Sequence, residues 1–191
     1  KNFYSILLHS STDLLKPGSN YLIDFLHVLK KDKITKKLGI SIYEKEDFDK
    51  IEKKFQIDII QLPINILDRR LIKNNFLKDL KKKEIEIHAR SIFLQGILLE
   101  KPYKLPPYFN KFKQTFLSLT NEIKRKKVPM LNASLNFILS INEIDKIIVG
   151  INSSQQLNDI IKVFNLKNKK RISIKVPYVF NKKLLDPRLW K

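Results

Sequence analysis

Short apolar runs of strand length alternate along this chain with longer stretches in which apolar residues recur at helical spacing. The runs Tyr4–Leu8, Lys37–Ile40, Ile57–Ile60, Ile85–Ala89 and Ile147–Val149 are rich in Ile, Leu and Val, as strands covered on both faces are. Between them lie three stripes: Leu22, Phe25, Leu26 and Leu29; Phe48, Ile51 and Phe55; and Phe109, Phe112, Phe116, Leu119 and Ile123. Each predicts one apolar helix face turned to a core. A further helix is expected from about Leu131, carrying Leu135 and Ile138. The last is expected to open at Ser153, with Gln156 three residues on as a capping box and Leu157, Ile161 and Phe164 as its apolar face. Strand alternating with helix predicts βα units and a parallel sheet.

The polar residues that follow the apolar runs carry the functional signal. The first run ends in His9, the second in Ser41, the third in Gln61, the fourth in Arg90 and Ser91, and the fifth in Gly150, Asn152 and Ser153. In a parallel barrel the C-terminal strand ends converge on one mouth, where active sites are built. Singly, each residue has an ordinary reading as a loop or solvent-facing side chain. Their recurrence at equivalent positions points to a site.

Composition narrows the classes. The 191 residues and 43% hydrophobic content suit one domain, expected over 1–191 with a C-terminal tail at 171–191 anchored by Trp190. There is no cysteine, and the three histidines are scattered, so no metal site is expected. No apolar stretch is long enough for a membrane span, no signal peptide opens the chain, and no membrane partner is expected; the expected compartment is the cytoplasm. With four glycines and no GxGxxG or GxxxxGK[ST], a dinucleotide fingerprint or P-loop is excluded. The net charge of +19 raises the question of nucleic acid. Much of the excess lies in Lys runs at predicted helix ends, at Lys81–Lys83, Lys124–Lys127 and Lys167–Arg171, where cations complement the helix dipole. No nucleic-acid partner is expected on this reading.

The stretches YSILLHSS, KKLGISIY, IDIIQLPINILDRR, IHARSIFLQGILL and KIIVGINSSQQL resemble, in order and spacing, the aldo/keto reductase family from its fourth barrel strand onward. The resemblance implies a (β/α)₈ barrel, here incomplete, with about five parallel strands and the N-terminal ones missing. It implies an NAD(P)H-dependent oxidoreductase reducing an aldehyde or ketone, with NADP as the cofactor (NAD possible) and a small carbonyl compound as substrate. His9 matches the histidine that hydrogen-bonds the substrate carbonyl. Ser41 and Gln61 match side chains that hold the nicotinamide carboxamide, with Ile42 where an Asn usually follows that serine. Arg90 stands where an aromatic residue commonly stacks on the nicotinamide. Ser91, Phe93 and Gly96 match the loop that carries pyrophosphate and ribose. Gly150, Ser153 and Ser154 match the phosphate-binding start of the last helix, and Gln156 and Asp159 the residues near adenine and the 2′-phosphate.

The family's proton-donating Tyr and its Lys and Asp partners come from segments before the fourth strand, and no residue of this sequence matches them. Tyr4 lies inside the first apolar run and is not assigned that role. The isolated chain is therefore expected to be inactive and poorly folded. The alternative is a non-catalytic nucleotide-binding or regulatory module. His88 shares strand parity with Arg90 and is expected to be structural, with Glu86 as its partner, and His27 to be solvated.

Overall fold

The computed structural model describes residues 2–165 and 179–190. Five strands, β1 (Phe3–Leu8), β2 (Thr35–Ser41), β3 (Ile59–Pro63), β4 (Glu86–Arg90) and β5 (Lys146–Ile147), form one sheet in chain order. β1 pairs with β2, and β2 with β3, in parallel. The helices are α1 (Ser19–Lys31), α2 (Lys45–Ile51), α3 (Phe76–Lys82), α4 (Lys113–Arg125), α5 (Met130–Leu139), α6 (Ser154–Phe164) and α7 (Lys182–Leu185). Five parallel strands in sequential order are the arrangement expected of a barrel that needs eight to close. No helix among the described residues is long and apolar enough to cross a membrane.

The chain forms two compact units. The first comprises Lys1–Pro63, Leu71–Ala89 and Glu143–Lys146, the second Ile64–Arg70, Arg90–Asn142 and Ile147–Lys191.

In the first unit, Leu38, Ile40, Ile59, Ile60 and Leu62 of the sheet are buried, as are Phe48, Ile51 and Phe55 in and after α2. The predicted α1 stripe needs correcting: Ile23 and Leu26 are buried, whereas Phe25 is exposed. Two contacts set this orientation. His27 is exposed, as expected, and one face of its ring stacks on Phe55 with centroids 5.7 Å apart, while Lys30 Nζ donates to both Asp58 oxygens at 2.6 and 2.8 Å. Asp58 also accepts from the Leu38 amide at 2.8 Å. Its carboxylate thus occupies the entry to β3, so the strand starts at Ile59 rather than Ile57. Helix α3, with Phe76, Leu77 and Leu80 buried, is an element the sequence reading passed over.

The second unit packs around Phe109, Phe112, Phe116, Leu119 and Ile123, joined by Leu94, Leu98, Leu184 and Leu185. The predicted stripe is correct, but its first two members belong to a 3₁₀ turn at Pro107–Phe112 that precedes α4. Trp190 is the expected anchor: its ring meets Phe109 edge-on at 4.8 Å, and its indole N–H donates to the Leu184 carbonyl at 3.2 Å. On α6 the expected apolar face is corrected, since Leu157, Ile161 and Phe164 are exposed and Val163 is the buried residue. Residues 171–178 of the predicted tail lie outside the described residues.

At the starting ends of the strands one carboxylate gathers four partners. Glu86 Oε2 accepts from Tyr4 Oη and from Lys37 Nζ, each at 2.5 Å, and Oε1 lies 2.8 Å from Lys146 Nζ and 2.7 Å from His88 Nε2. The expected His88–Glu86 pairing is therefore present. Burial pushes the Glu86 carboxyl up, but hydrogen bonds from Lys146, Lys37, Tyr4 and His88 outweigh it and hold the group far below the usual carboxylate range. The same bond to Glu86, reinforced by Tyr4, raises Lys37 to about 12. A carboxylate depressed by folding contributes stability above its unfolded value of 4.5, and that contribution drains away as pH falls below it. A raised Lys37 works in the opposite sense, stabilising below 10.5 and losing that effect as pH rises through about 12. Glu86→Gln should therefore lower the melting temperature at neutral pH and narrow its difference from the parent as pH falls through 4 to 2. Melting curves that stay parallel over that range would show that Glu86 is not held ionised by its neighbours.

Candidate active site

Three of the sequence-predicted residues lie side by side in the first unit. Ser41 is paired in register with Gln61 on β3, and the Ile42 amide donates to the Gln61 carbonyl at 2.9 Å. Leu8 is paired with Ile40, so His9, the next residue, falls at the level of Ser41. Ser41 is buried, Gln61 half-buried and His9 exposed. An imidazole, a hydroxyl and a carboxamide thus stand in one row across three adjacent strands, at the end opposite the Glu86 cluster.

This row depends on a residue the sequence reading did not single out. A Cβ on Gly39 would lie 2.6 Å from the Ile59 carbonyl oxygen and 2.9 Å from the Leu7 side chain. Only glycine lets β2 sit this close to both neighbours, two residues before Ser41. An isolated glycine inside an apolar strand was the available signal, since such glycines mark close backbone approach.

The other predicted residues belong to the second unit. Arg90 Nη1 donates to Ser91 Oγ at 3.3 Å. Ser91, Leu94, Gln95 and Gly96 all have positive φ, at 56°, 46°, 55° and 85°, a run of left-handed backbone that turns the loop tightly and buries Phe93. Gly96 has open space around its Cβ position, so its conformation, rather than crowding, calls for glycine. Asn65, fully buried, holds this loop: Nδ2 donates to the Ser91 carbonyl at 3.1 Å, while Oδ1 accepts from the Leu67 and Asp68 amides at 3.0 and 2.8 Å. Asp68 in turn is clasped by Arg70 through two bonds of 2.9 Å. The sequence signal was an Asn two residues after a strand-ending Pro, a turn former by its side chain.

At the start of α6, Ser153 Oγ accepts from the Gln156 amide at 3.2 Å, as predicted, but Gln156 Oε1 reaches back to the amide of Asn152 rather than that of Ser153. Gly150, Ser153, Ser154 and Gln156 are exposed. Asp159 accepts from Gln155 Nε2 at 2.9 Å. An uncovered helix start with a serine cap presents backbone amides and the positive dipole end to an anion. Among the described residues no group of three or more His, Asp or Glu could hold a metal ion.

The sequence profile of the aldo/keto reductase family matches residues 10–174. The chain belongs to the aldo/keto reductase family. Its fold is similar to that of an aldo-keto reductase from Bacillus halodurans in the holo form, with a TM-score of 0.66 and 18% identity over 89% of this chain and 58% of that one. A thermostable aldo-keto reductase in complex with the inhibitor epalrestat gives a TM-score of 0.60 at 16% identity, over 87% of this chain and 56% of that one. The chain thus spans less than two thirds of the length of these aldo-keto reductases. No curated protein matches its sequence significantly. His9 lies just outside the matched stretch, and its position rests on the β1–β2 register.

Two substitutions test how the row and the loop are supported. Gly39→Ala should cost on the order of 1–3 kcal/mol of stability, since a methyl group must be forced against backbone. Asn65→Ala should cost about 1–3 kcal/mol by leaving the Leu67 and Asp68 amides without their acceptor. Urea denaturation checks both, and a midpoint unchanged from the parent in either variant would remove that residue from its supporting role.

Proposed function

We propose that this chain supplies the carbonyl-polarising and cofactor-holding groups of an NAD(P)H-dependent reductase that converts an aldehyde or ketone to an alcohol. The observation that carries this reading is the row of His9, Ser41 and Gln61 across β1, β2 and β3, in a chain of the aldo/keto reductase family. The bound reduced nicotinamide would supply hydride. The His9 N–H donates to the carbonyl oxygen, and that hydrogen bond strengthens as negative charge develops there. Ser41 and Gln61 each offer both a donor and an acceptor, which is what a carboxamide requires.

Within the second unit, the Ser91–Gly96 loop and the start of α6 offer backbone amides suited to phosphate, with Arg90 beside Ser91. Phe93 would act through packing, because its ring is buried. Gly150, Ser153, Ser154, Gln156 and Asp159 would take the adenosine end of the cofactor. No Lys or Arg lies between Gly150 and Asp159, so that stretch offers no cation to a 2′-phosphate, and the reading accommodates NAD as well as NADP. The alkoxide produced also needs a proton. Tyr4 is not its source, because its hydroxyl donates to Glu86 at the far ends of the strands.

In the intact reductase, His9→Ala should lower turnover by about a hundredfold or more, the effect of losing one such donor, while the dissociation constant for NADPH stays within about twofold of the parent. Steady-state rates with a panel of aldehydes and fluorescence quenching by the cofactor separate the two effects. Parent-level reduction by His9→Ala would remove it from the mechanism. Cofactor binding without turnover in the parent protein would favour the non-catalytic module instead.

A further inference from the structure

We propose that the second unit carries a binding face for single-stranded nucleic acid, a property beyond the reductase reading and independent of it. The first unit has 17 Lys and Arg against 14 Asp and Glu, and the second has 21 against five. Nearly all of the +19 net charge therefore belongs to one unit. About one residue in five is basic in both units, so a general preference for lysine accounts for the bases equally well in each. What distinguishes the second unit is its loss of acids, which such a preference does not explain.

The acids that remain do little to offset the surface charge. Asp68 and Asp186 are buried and bonded to Arg70 and Arg188, and Glu122 pairs with Arg125. Apart from Arg90, the excess does not enter the proposed cofactor site, since the Gly150–Asp159 stretch contains no Lys or Arg. Beyond the runs at Lys124–Lys127 and Lys167–Arg171, bases stand at Lys101, Lys104, Lys111 and Lys113, in a stretch from Lys101 to Asn121 without a single acid, and at Lys182 and Lys183.

Structure joins part of this set into one face. Tyr108 Oη donates to the Lys183 carbonyl at 2.7 Å and to the Leu189 carbonyl at 3.1 Å, and Lys111 Nζ lies 3.9 Å from the Tyr108 ring centroid. Lys111 and Lys183, distant in sequence, are thereby brought to one patch, and both are exposed. Nearby in sequence, Tyr103 is 73% exposed, with Lys101 Nζ 5.9 Å from its ring. An exposed aromatic ring among lysines is the combination that holds single strands, through charge neutralisation along the backbone and base stacking. Double-stranded partners would leave Tyr103 without a base face to stack on. The earlier expectation of no nucleic-acid partner treated the lysines as helix-end charges, which Lys81, Lys82, Lys124 and Arg125 are; Lys104 and Lys111 close only short 3₁₀ turns, and Lys113 opens α4, where a cation does not complement the dipole.

Fluorescence anisotropy of a labelled oligouridylate with the full chain, titrated at several salt concentrations, tests the proposal. Lys111→Glu combined with Lys183→Glu should weaken binding at least about tenfold at low salt and flatten the plot of log affinity against log salt by roughly 0.7 per contact removed. The matched reversal Lys53→Glu with Lys54→Glu, on the first unit, should leave affinity within about twofold. Tyr103→Ala should cost about fivefold without changing the slope, because stacking releases no ions. If the reversal disturbs the thermal melt, the neutral pair Lys111→Gln and Lys183→Gln gives the same readout. Absence of binding by the parent, or an equal loss from both reversals, would overturn the proposal. So would binding to phosphatidylserine vesicles without binding to oligouridylate, which would assign the face to a membrane surface.

Discussion

The Glu86 carboxylate is the acceptor on which the first unit's sheet depends. A buried carboxylate is tolerated only when its oxygens are fully engaged, and here the partners come from Tyr4 on β1, Lys37 on β2, His88 on β4 and Lys146 on β5. Four strands can satisfy one side chain only if their starting ends are held in a single mutual register. Slipping any one of them would leave either the carboxylate or a cation short of its partner. The polar cluster therefore locks one end of the sheet, and a fixed starting end is what allows His9, Ser41 and Gln61 to fall level at the other.

The third strand is placed by a different force. β3 contributes nothing to the Glu86 cluster and is brought in by close packing at Gly39 and by Asp58, whose carboxylate ties the Lys30 amine and the Leu38 amide. Strands so held form a stiffer support for reactive groups than a loop does. In the second unit the Ser91–Gly96 loop obtains its shape in another way, from four left-handed residues and the buried Asn65 side chain. Left-handed backbone outside glycine is costly, and it persists because Asn65 and the packing of Phe93 and Leu94 leave the chain little alternative. Precision at this loop is maintained by one buried amide, and at the row by a whole sheet.

The strand and helix order and the row at the strand ends were legible in the sequence because both rest on local periodicity and on the alternation of apolar and polar residues. The longest aromatic stripe and the Trp190 anchor were legible for the same reason. Phe25, Leu157, Ile161 and Phe164 were misread. A stripe tells which residues share a helix face, but the rotation of that face toward the core is set by contacts such as His27 on Phe55 and Lys30 on Asp58, which join residues far apart in sequence. Asn65 and Gly39 carried faint local signals, a turn former after a proline and a glycine in a strand. Their importance comes from what approaches them, the Ser91 carbonyl in one case and the Ile59 backbone in the other.

By itself, the sequence determined the class of fold, the family resemblance and the identity of the polar residues at the strand ends, since each follows from residue type and spacing along the chain. Only the tertiary structure decided which residues meet: Glu86 with its four partners, Lys111 with Lys183 through Tyr108, and the separation of charge between two units made of interleaved stretches. Hydrogen bonds, close packing and electrostatic fields act over ångströms in space, and sequence distance carries no record of them.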